Sequence, residues 1–371
     1  MSDVTAVPFL DLSAQYKELE AEWLETVRAT GISGAFVLGP NVTAFEKECA
    51  AYIGAKHAVA CANGTDALIL SLRALNIGPG DEVITSPFTF FATAESVTLV
   101  GATPVFADIE PELFNIDPKS IARLITPKTK AIIPVHLYGC PAKMDAIMAI
   151  AHEHKLAVIE DCAQAFGAMV GDKRVGSIGD TGAFSFYPTK VLGCYGDGGI
   201  ITTNRDEVAE HLRRLRNHGA YKPWFHNEIG YNSRLDEIQA ALLRIKLRHI
   251  ERDITGRISI ASEYDQRLAS HGVVVPPRPS YGRHAFNLYT LRVKQRDRVR
   301  QYLADHKVGC SIAYPQPLHL QDVYQGLGYK PGSMPVSERA ATEALALPIY
   351  PGMPLAHIER VAEVLAAALK I

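Results

Sequence analysis

Over roughly the first 215 positions, short apolar runs alternate with segments whose apolar residues recur every three or four positions. HAVACA (57 to 62), EVITS (82 to 86), PVFA (104 to 107), AIIPVHL (131 to 137), LAVIED (156 to 161), AFSF (183 to 186) and GIITT (199 to 203) are mostly apolar throughout. That pattern predicts strands covered on both faces. Between them, DALILSLRAL (66 to 75), MDAIMAIAHEH (144 to 154) and DEVAEHLRRLRNH (206 to 218) carry helical spacing. The expected fold class is α/β, with a mainly parallel seven-stranded sheet flanked by helices. After about residue 235 the pattern changes. LDEIQAALLRIKLRHIERDI and ASEYDQRLASHG read as long helices, followed by a strand in FNLYTLRV (286 to 293). Helical stretches near 296 to 306 and 336 to 345 and a closing helix, IERVAEVLAAALK, complete the chain. We expect a large domain over 1–249 and a smaller C-terminal α+β domain over 250–371.

Composition narrows the function classes. With 371 residues, 47% of them hydrophobic, the chain is long enough for two cores. Lys+Arg (38) and Asp+Glu (40) nearly balance, so a net charge of -2 gives no electrostatic footprint for nucleic acid, and any anionic ligand must be held locally. The six cysteines are scattered without CxxC spacing and read as reduced core thiols, with no metal site expected. No segment approaches 18 uninterrupted apolar residues and no secretory leader is evident, so no membrane association and a cytoplasmic location are expected.

Candidate chemistry gathers at the strand ends, where open α/β sheets form their ligand crevice. Asn63-Gly64-Thr65-Asp66 ends one strand and opens a helix. The Gly64 and Thr65 N–H groups and the Thr65 hydroxyl make either a cradle for a phosphate dianion or an ordinary helix cap. Asp161 ends LAVIED. It either caps the next segment or pairs with a pyridine nitrogen and keeps that ring protonated, and Gln164 then suits the phenolic oxygen. Lys190 sits in the glycine-rich GAFSFYPTKVLGCYGDGG (182 to 199). Its amine is either solvated or, among cationic and apolar neighbours, deprotonated readily enough to form an imine with an aldehyde. Ser185 is expected to reach the same phosphate as Thr65. Together, Lys190 and Asp161 suggest a pyridoxal phosphate enzyme. Beyond the sheet, Ser233 and Asp236 in GYNSRLDE (230 to 237) resemble a helix-capping pair, which leaves Asn232 and Arg234 unexplained. No GxGxxG opens a helix near the N-terminus, against a dinucleotide-binding dehydrogenase.

These motifs, with VPFLDL (7 to 12), FVLGPNVTAFE (36 to 46), GPGDEVITSPFTFFATA (78 to 94), GATPVFADIEPELFNIDP (101 to 118), PVHLYG (134 to 139) and YPQPLHLQ (314 to 321), make the chain resemble the DegT/DnrJ/EryC1/StrS sugar aminotransferases nearly end to end. The resemblance implies the fold-type I (aspartate aminotransferase-like) architecture and pyridoxal 5'-phosphate, with pyridoxamine 5'-phosphate in the aminated half-cycle. Lys190 matches the Schiff-base lysine that also carries the proton, Asp161 the carboxylate on the pyridine nitrogen and Gln164 the amide on the phenolic oxygen. Gly64, Thr65 and Ser185 match the phosphate cradle, and Phe90 the aromatic side chain stacked on the ring. Asn232 matches a residue supplied to the phosphate by the neighbouring subunit of a homodimer. Arg234, Tyr314 and His319 fall where relatives contact the nucleotide sugar.

The implied reaction is ping-pong transamination from L-glutamate to a nucleotide-linked keto sugar, with a 3-keto hexose favoured over a 4-keto one. A keto-cyclitol acceptor and a non-catalytic regulator of the same fold are the alternatives. Lys190 stands where dehydratase relatives carry histidine, which argues against dehydration. Ala313 stands where several relatives have the histidine of HYPxPxH, which argues against a 3-keto-glucuronate.

Overall fold

The apolar runs of the first half become one sheet. The computed structural model describes residues 6–370. Its central sheet comprises β1 (His57–Cys61), β2 (Glu82–Thr85), β3 (Thr103–Phe106), β4 (Thr129–Ile133), β5 (Ala157–Asp161), β8 (Thr181–Ser185) and β9 (Gly199–Thr203), in the order β1-β9-β8-β5-β4-β2-β3. β9 alone runs antiparallel to its neighbours, so the other six strands end on one edge. Two short strands, β6 (Met169–Val170) and β7 (Lys173–Arg174), form a small sheet with β12 (Gly282–Arg283). A further hairpin pairs β10 (Ala220–Lys222) with β11 (Phe225–His226).

Both faces of the sheet are covered, as continuous apolar strands require. Ala58, Ala60, Ile132 and Val158 pack on one side with α2 (Pro40–Ile53), α5 (Pro118–Ala122), α6 (Met144–His154) and α8 (Glu237–Leu247). Val59, Cys61, Ile133 and Ile159 face α3 (Gly64–Ala74), α4 (Ala92–Leu99) and α7 (Asp206–Leu215). α1 (Ser13–Ser33) lies against α8. The long helical reading after residue 235 divides at Arg248 and His249 into α8 and α9 (Ile250–Leu268). α9 begins in the first core, with Ile250 and Ile254, and ends in a second with Ile260, Tyr264 and Leu268.

That second core joins α9 to α10 (Arg296–Asp305) and α12 (Leu355–Ala368) over a two-stranded sheet of β13 (Tyr289–Arg292) and β14 (Ala344–Leu347). The stretch predicted as helix over 336 to 345 is α11 (Pro335–Glu343), and its last residues belong to β14. Ala344 leaves the helix in an extended conformation and pairs with Arg292, because β13 needs a partner that a longer helix would remove. Val7 packs into this second core and pairs with Val308.

Candidate active site

A cavity of about 510 Å³ opens at the C-terminal ends of β1, β5 and β8. Its wall brings together Gly64, Thr65, Phe90, Asp161, Gln164, Ser185, Lys190 and Tyr314, drawn from segments up to 250 residues apart.

At the end of β1, Asn63 is extended and its side-chain oxygen accepts the Asp66 N–H at 2.8 Å, which starts α3. The cap therefore uses the third N–H of the helix, and those of Gly64 and Thr65 have no acceptor within the helix. They face the cavity with the positive end of the helix dipole behind them. Ser185 crosses directly beneath. A Cβ on Gly64 would come within 2.7 Å of the Ser185 Cβ, so only glycine permits this approach. Gly199, the residue opposite Ser185 in the β8–β9 ladder, is held just as tightly, since a Cβ there would meet the Asn63 carbonyl at 2.3 Å. The Tyr187 N–H donates to the Ser185 Oγ at 3.3 Å, which leaves the hydroxyl proton free to donate outward.

Asp161 ends β5 almost fully buried. Its Oδ2 accepts the Thr93 hydroxyl at 2.8 Å and its Oδ1 the Ala163 N–H at 3.1 Å. Burial raises its pKa, while those two hydrogen bonds and the charge of Lys190 act in the opposite direction. Lys190 is half-buried, and burial lowers its pKa against the attraction of Asp161. The two groups are thus a desolvated acid and a desolvated amine in one cavity, an arrangement typical of reactive sites. The Gln164 Oε1 accepts the Tyr138 N–H at 2.8 Å, so its amide nitrogen is the end that faces the cavity, where it donates to the Tyr314 hydroxyl at 2.7 Å. Phe90 remains 59% exposed at the cavity wall, outside the packed cores.

The donors and acceptors suit pyridoxal 5'-phosphate. Two helix N–H groups and two hydroxyls offer the donor set of a phosphate site. A buried carboxylate that lacks a directly bonded cation suits a protonated pyridine nitrogen. A pKa-lowered lysine suits an aldehyde.

Other expected residues lie elsewhere. Asn232 is exposed and is not on this cavity's wall, although Ser233 beside it ties the segment to the first turn of α3 by donating to the Asp66 Oδ2 at 2.6 Å. Ser233 therefore does not cap α8; Asp236 holds the cap position without a side-chain bond. Arg234 is half-buried and donates to the Asn217 Oδ1 at 3.3 Å. His319 is 1% exposed, off the cavity wall, and its Nε2 contacts the Glu338 Oε1 at 3.2 Å. Its short helical turn, Leu318–Leu320, directs the ring inward against Phe106 and Tyr329.

Sequence reading missed Thr93, which holds Asp161, and Thr89, whose hydroxyl lies 3.1 Å from that of Thr93. The available signal was the four-residue spacing of two hydroxyls in PFTFFATA, one helical turn. Behind Asp161, His136, Glu160 and Cys162 lie close enough to suggest metal ligands. The Ala142 N–H donates to the His136 Nδ1 at 3.0 Å, which puts the ring proton on Nε2, facing Glu160. Glu160 also accepts the N–H groups of Gly176, Ile178 and Gly179. Burial pushes the Cys162 thiol well above its ordinary pKa, while His136 and Glu160 already have hydrogen-bond partners in each other and in the backbone.

The model of the DegT/DnrJ/EryC1/StrS aminotransferase family matches residues 17–366. A "Pleiotropic regulatory protein" of Geobacillus stearothermophilus is 50% identical over 93% of this chain and 94% of its own. The UDP-N-acetyl-3-dehydro-alpha-D-glucosamine 3-aminotransferase of Acidithiobacillus ferrooxidans is 44% identical over 100% of both. Among solved structures, NtdA of Bacillus subtilis with bound cofactor PMP has a TM-score of 0.93 and 31% identity, covering 100% of this chain and 86% of that one. The chain belongs to the DegT/DnrJ/EryC1/StrS aminotransferase family. It is a pyridoxal phosphate-dependent sugar aminotransferase of fold type I. No helix among the described residues is long and apolar enough to cross a membrane.

Proposed function

We propose that this protein transfers an amino group from L-glutamate to a 3-keto hexose carried on a nucleoside diphosphate. The observation that carries the reading is the placement of Lys190 and Asp161 in one cavity with the open N-terminus of α3. The 3-keto preference is supported by the Acidithiobacillus relative, whose name specifies that position on a UDP-linked sugar.

When bound, the cofactor supplies a carbonyl for amine exchange and a ring that withdraws electrons from the reacting carbon. The chain's own residues do the rest. Gly64, Thr65 and Ser185 take the phosphate, and Asp161 balances the charge on the ring nitrogen with Thr93 and Ala163 fixing its two oxygens. Gln164 offers its amide proton to the phenolic oxygen, the end fixed by Tyr138. Phe90, exposed on the cavity wall, would cover one face of the ring. The Lys190 Nζ, half-buried and easily deprotonated, would take the proton from the α-carbon of the amino donor in one half-cycle and deliver one to the former carbonyl carbon of the sugar in the other.

Among the described residues, the cavity wall includes no arginine, and Lys190 is its single cation. The carboxylates of glutamate and a diphosphate therefore need cations from outside it, which Arg234 of a second subunit would supply. Exposed Trp224 (92%), Phe225 and Ile229 around the β10–β11 hairpin give that second copy an apolar surface to cover. A purely regulatory role, suggested by the name of the Geobacillus relative, would leave the desolvated pair without a purpose.

In the test, purified enzyme is supplied with L-glutamate and a UDP-linked 3-keto sugar, with Lys190→Ala alongside. Turnover by the wild type and loss of turnover and of the bound cofactor's visible band in the variant are expected. Turnover by Lys190→Ala, or wild-type turnover of 4-keto sugars alone, would overturn the corresponding part of the reading.

A further inference from the structure

The loop that carries Lys190 is gripped from below by a buried lysine. Lys246, in the last turn of α8, is only 5% exposed. Its Nζ donates to the Gly193 carbonyl at 2.5 Å, its one hydrogen-bond acceptor among the described residues, and lies 5.2 Å from the centre of the Tyr195 ring. Asp253, a carboxylate whose charge acts on it, is already occupied by Gln15 and Arg252. Burial brings the pKa of Lys246 down to about 8. A methionine would fill similar space without desolvating an amine, so a lysine here is poorly explained by packing alone.

Gly193 is the point where this loop closes on itself. The Lys190 N–H donates to the Tyr187 carbonyl at 2.9 Å, and the Cys194 N–H to the Phe186 carbonyl at 2.8 Å. A Cβ on Gly193 would lie 2.6 Å from the Pro188 carbonyl oxygen and 2.9 Å from that of Tyr187. The backbone of Gly193 thus rests directly on the turn that leads into Lys190, and a shift in one moves the other. α8 holds the loop at a second place. The Gln239 side chain donates to the Tyr195 carbonyl at 3.1 Å and accepts the Tyr195 N–H at 2.9 Å. Gln239 and Lys246 are two helical turns apart, so both project from one face of α8.

We infer that Lys246 is a positioning residue for Lys190, holding the turn that carries the reactive amine through the Gly193 carbonyl. The inference rests on the reading of Lys190 as that amine. It makes α8 the rigid base of the loop, and a loop that relaxes by a fraction of an ångström loses the alignment on which proton transfer depends.

The test uses holoenzyme of Lys246→Met and Gln239→Leu, each compared with wild type for kcat, KM and the pH titration of the bound cofactor's visible absorption. For Lys246→Met, kcat falls about tenfold, KM for both substrates stays within about twofold, and the titration midpoint moves by about half a pH unit. Gln239→Leu moves the same midpoint in the same direction by less. Wild-type kcat and midpoint in Lys246→Met overturn the inference, whatever happens to thermal stability. If that variant does not fold, an unmoved midpoint in Gln239→Leu overturns it. Lys190→Ala keeps the two readings apart: turnover in that variant removes the assignment of Lys190, whereas an inactive Lys190→Ala beside an unaffected Lys246→Met removes Lys246 alone.

Discussion

Asp161 is the residue at which stability and chemistry oppose each other. Its carboxyl is pushed above its ordinary pKa by burial, so without cofactor the ionised form is disfavoured in the folded chain. At pH values well below the unfolded carboxyl's pKa, near 3.9, both states are protonated and the penalty is absent; it grows as pH rises from there to the folded pKa and is constant above it. Cofactor-free Asp161→Asn should therefore melt roughly a degree or more above cofactor-free wild type at pH 7, with the gap closing toward pH 4. Calorimetry across that range checks the sign, and an unchanged or lower melting temperature at pH 7 refutes it. The position of Asp161 was legible because a carboxylate at the end of an apolar strand is conspicuous. Thr93 and Lys246 were not. A threonine in a small-residue helix reads as filler, and a lysine on an amphipathic helix reads as solvated. Their burial is decided by tertiary packing.

Among the elements, the junction of β1 and α3 has the least freedom. Alanine suits a helix better than glycine by about 1 kcal/mol. At position 64 its Cβ would nonetheless meet the Ser185 Cβ at 2.7 Å, so the helix start and β8 must separate. Gly64→Ala should weaken pyridoxal phosphate binding to the cofactor-free protein at least about tenfold, equivalent to some 1.4 kcal/mol, as read by absorbance titration. Affinity at the wild-type level would show that the cradle tolerates the separation. The seven sheet strands were legible because burial on both faces leaves an uninterrupted apolar run. β14 was not, because EALAL suits either a helix or a strand and only the pairing with β13 decides between them. Arg248 and His249, where α8 gives way to α9, carry neither glycine nor proline to announce the break.

At the scale of the whole molecule, the number of chains that make one site has a direct test. If Asn232 serves the phosphate of a neighbouring subunit, Lys190→Ala and Asn232→Ala homodimers are both impaired, yet a mixed dimer retains one site with both residues intact. Unfolding and refolding the two variants together should recover roughly a quarter of wild-type turnover, since half the dimers are mixed and each has one good site of two. No recovery, with both homodimers impaired, would place Asn232 in its own subunit's service. That question was out of reach of one chain's residue pattern, because an exposed asparagine has the same appearance whether it meets water or a partner. The β8–β9 ladder has a different consequence. Ser185 and Gly199 are partners on its last rung, so the segment from 186 to 198 leaves and re-enters the sheet at one fixed point. Changes of length or composition inside that segment need not propagate into strand register. The lysine-bearing stretch is thus a closed loop anchored at both ends by one rung and plugged into the core by Phe186, Leu192 and Cys194, so its own adjustments leave the phosphate cradle beneath it where it is.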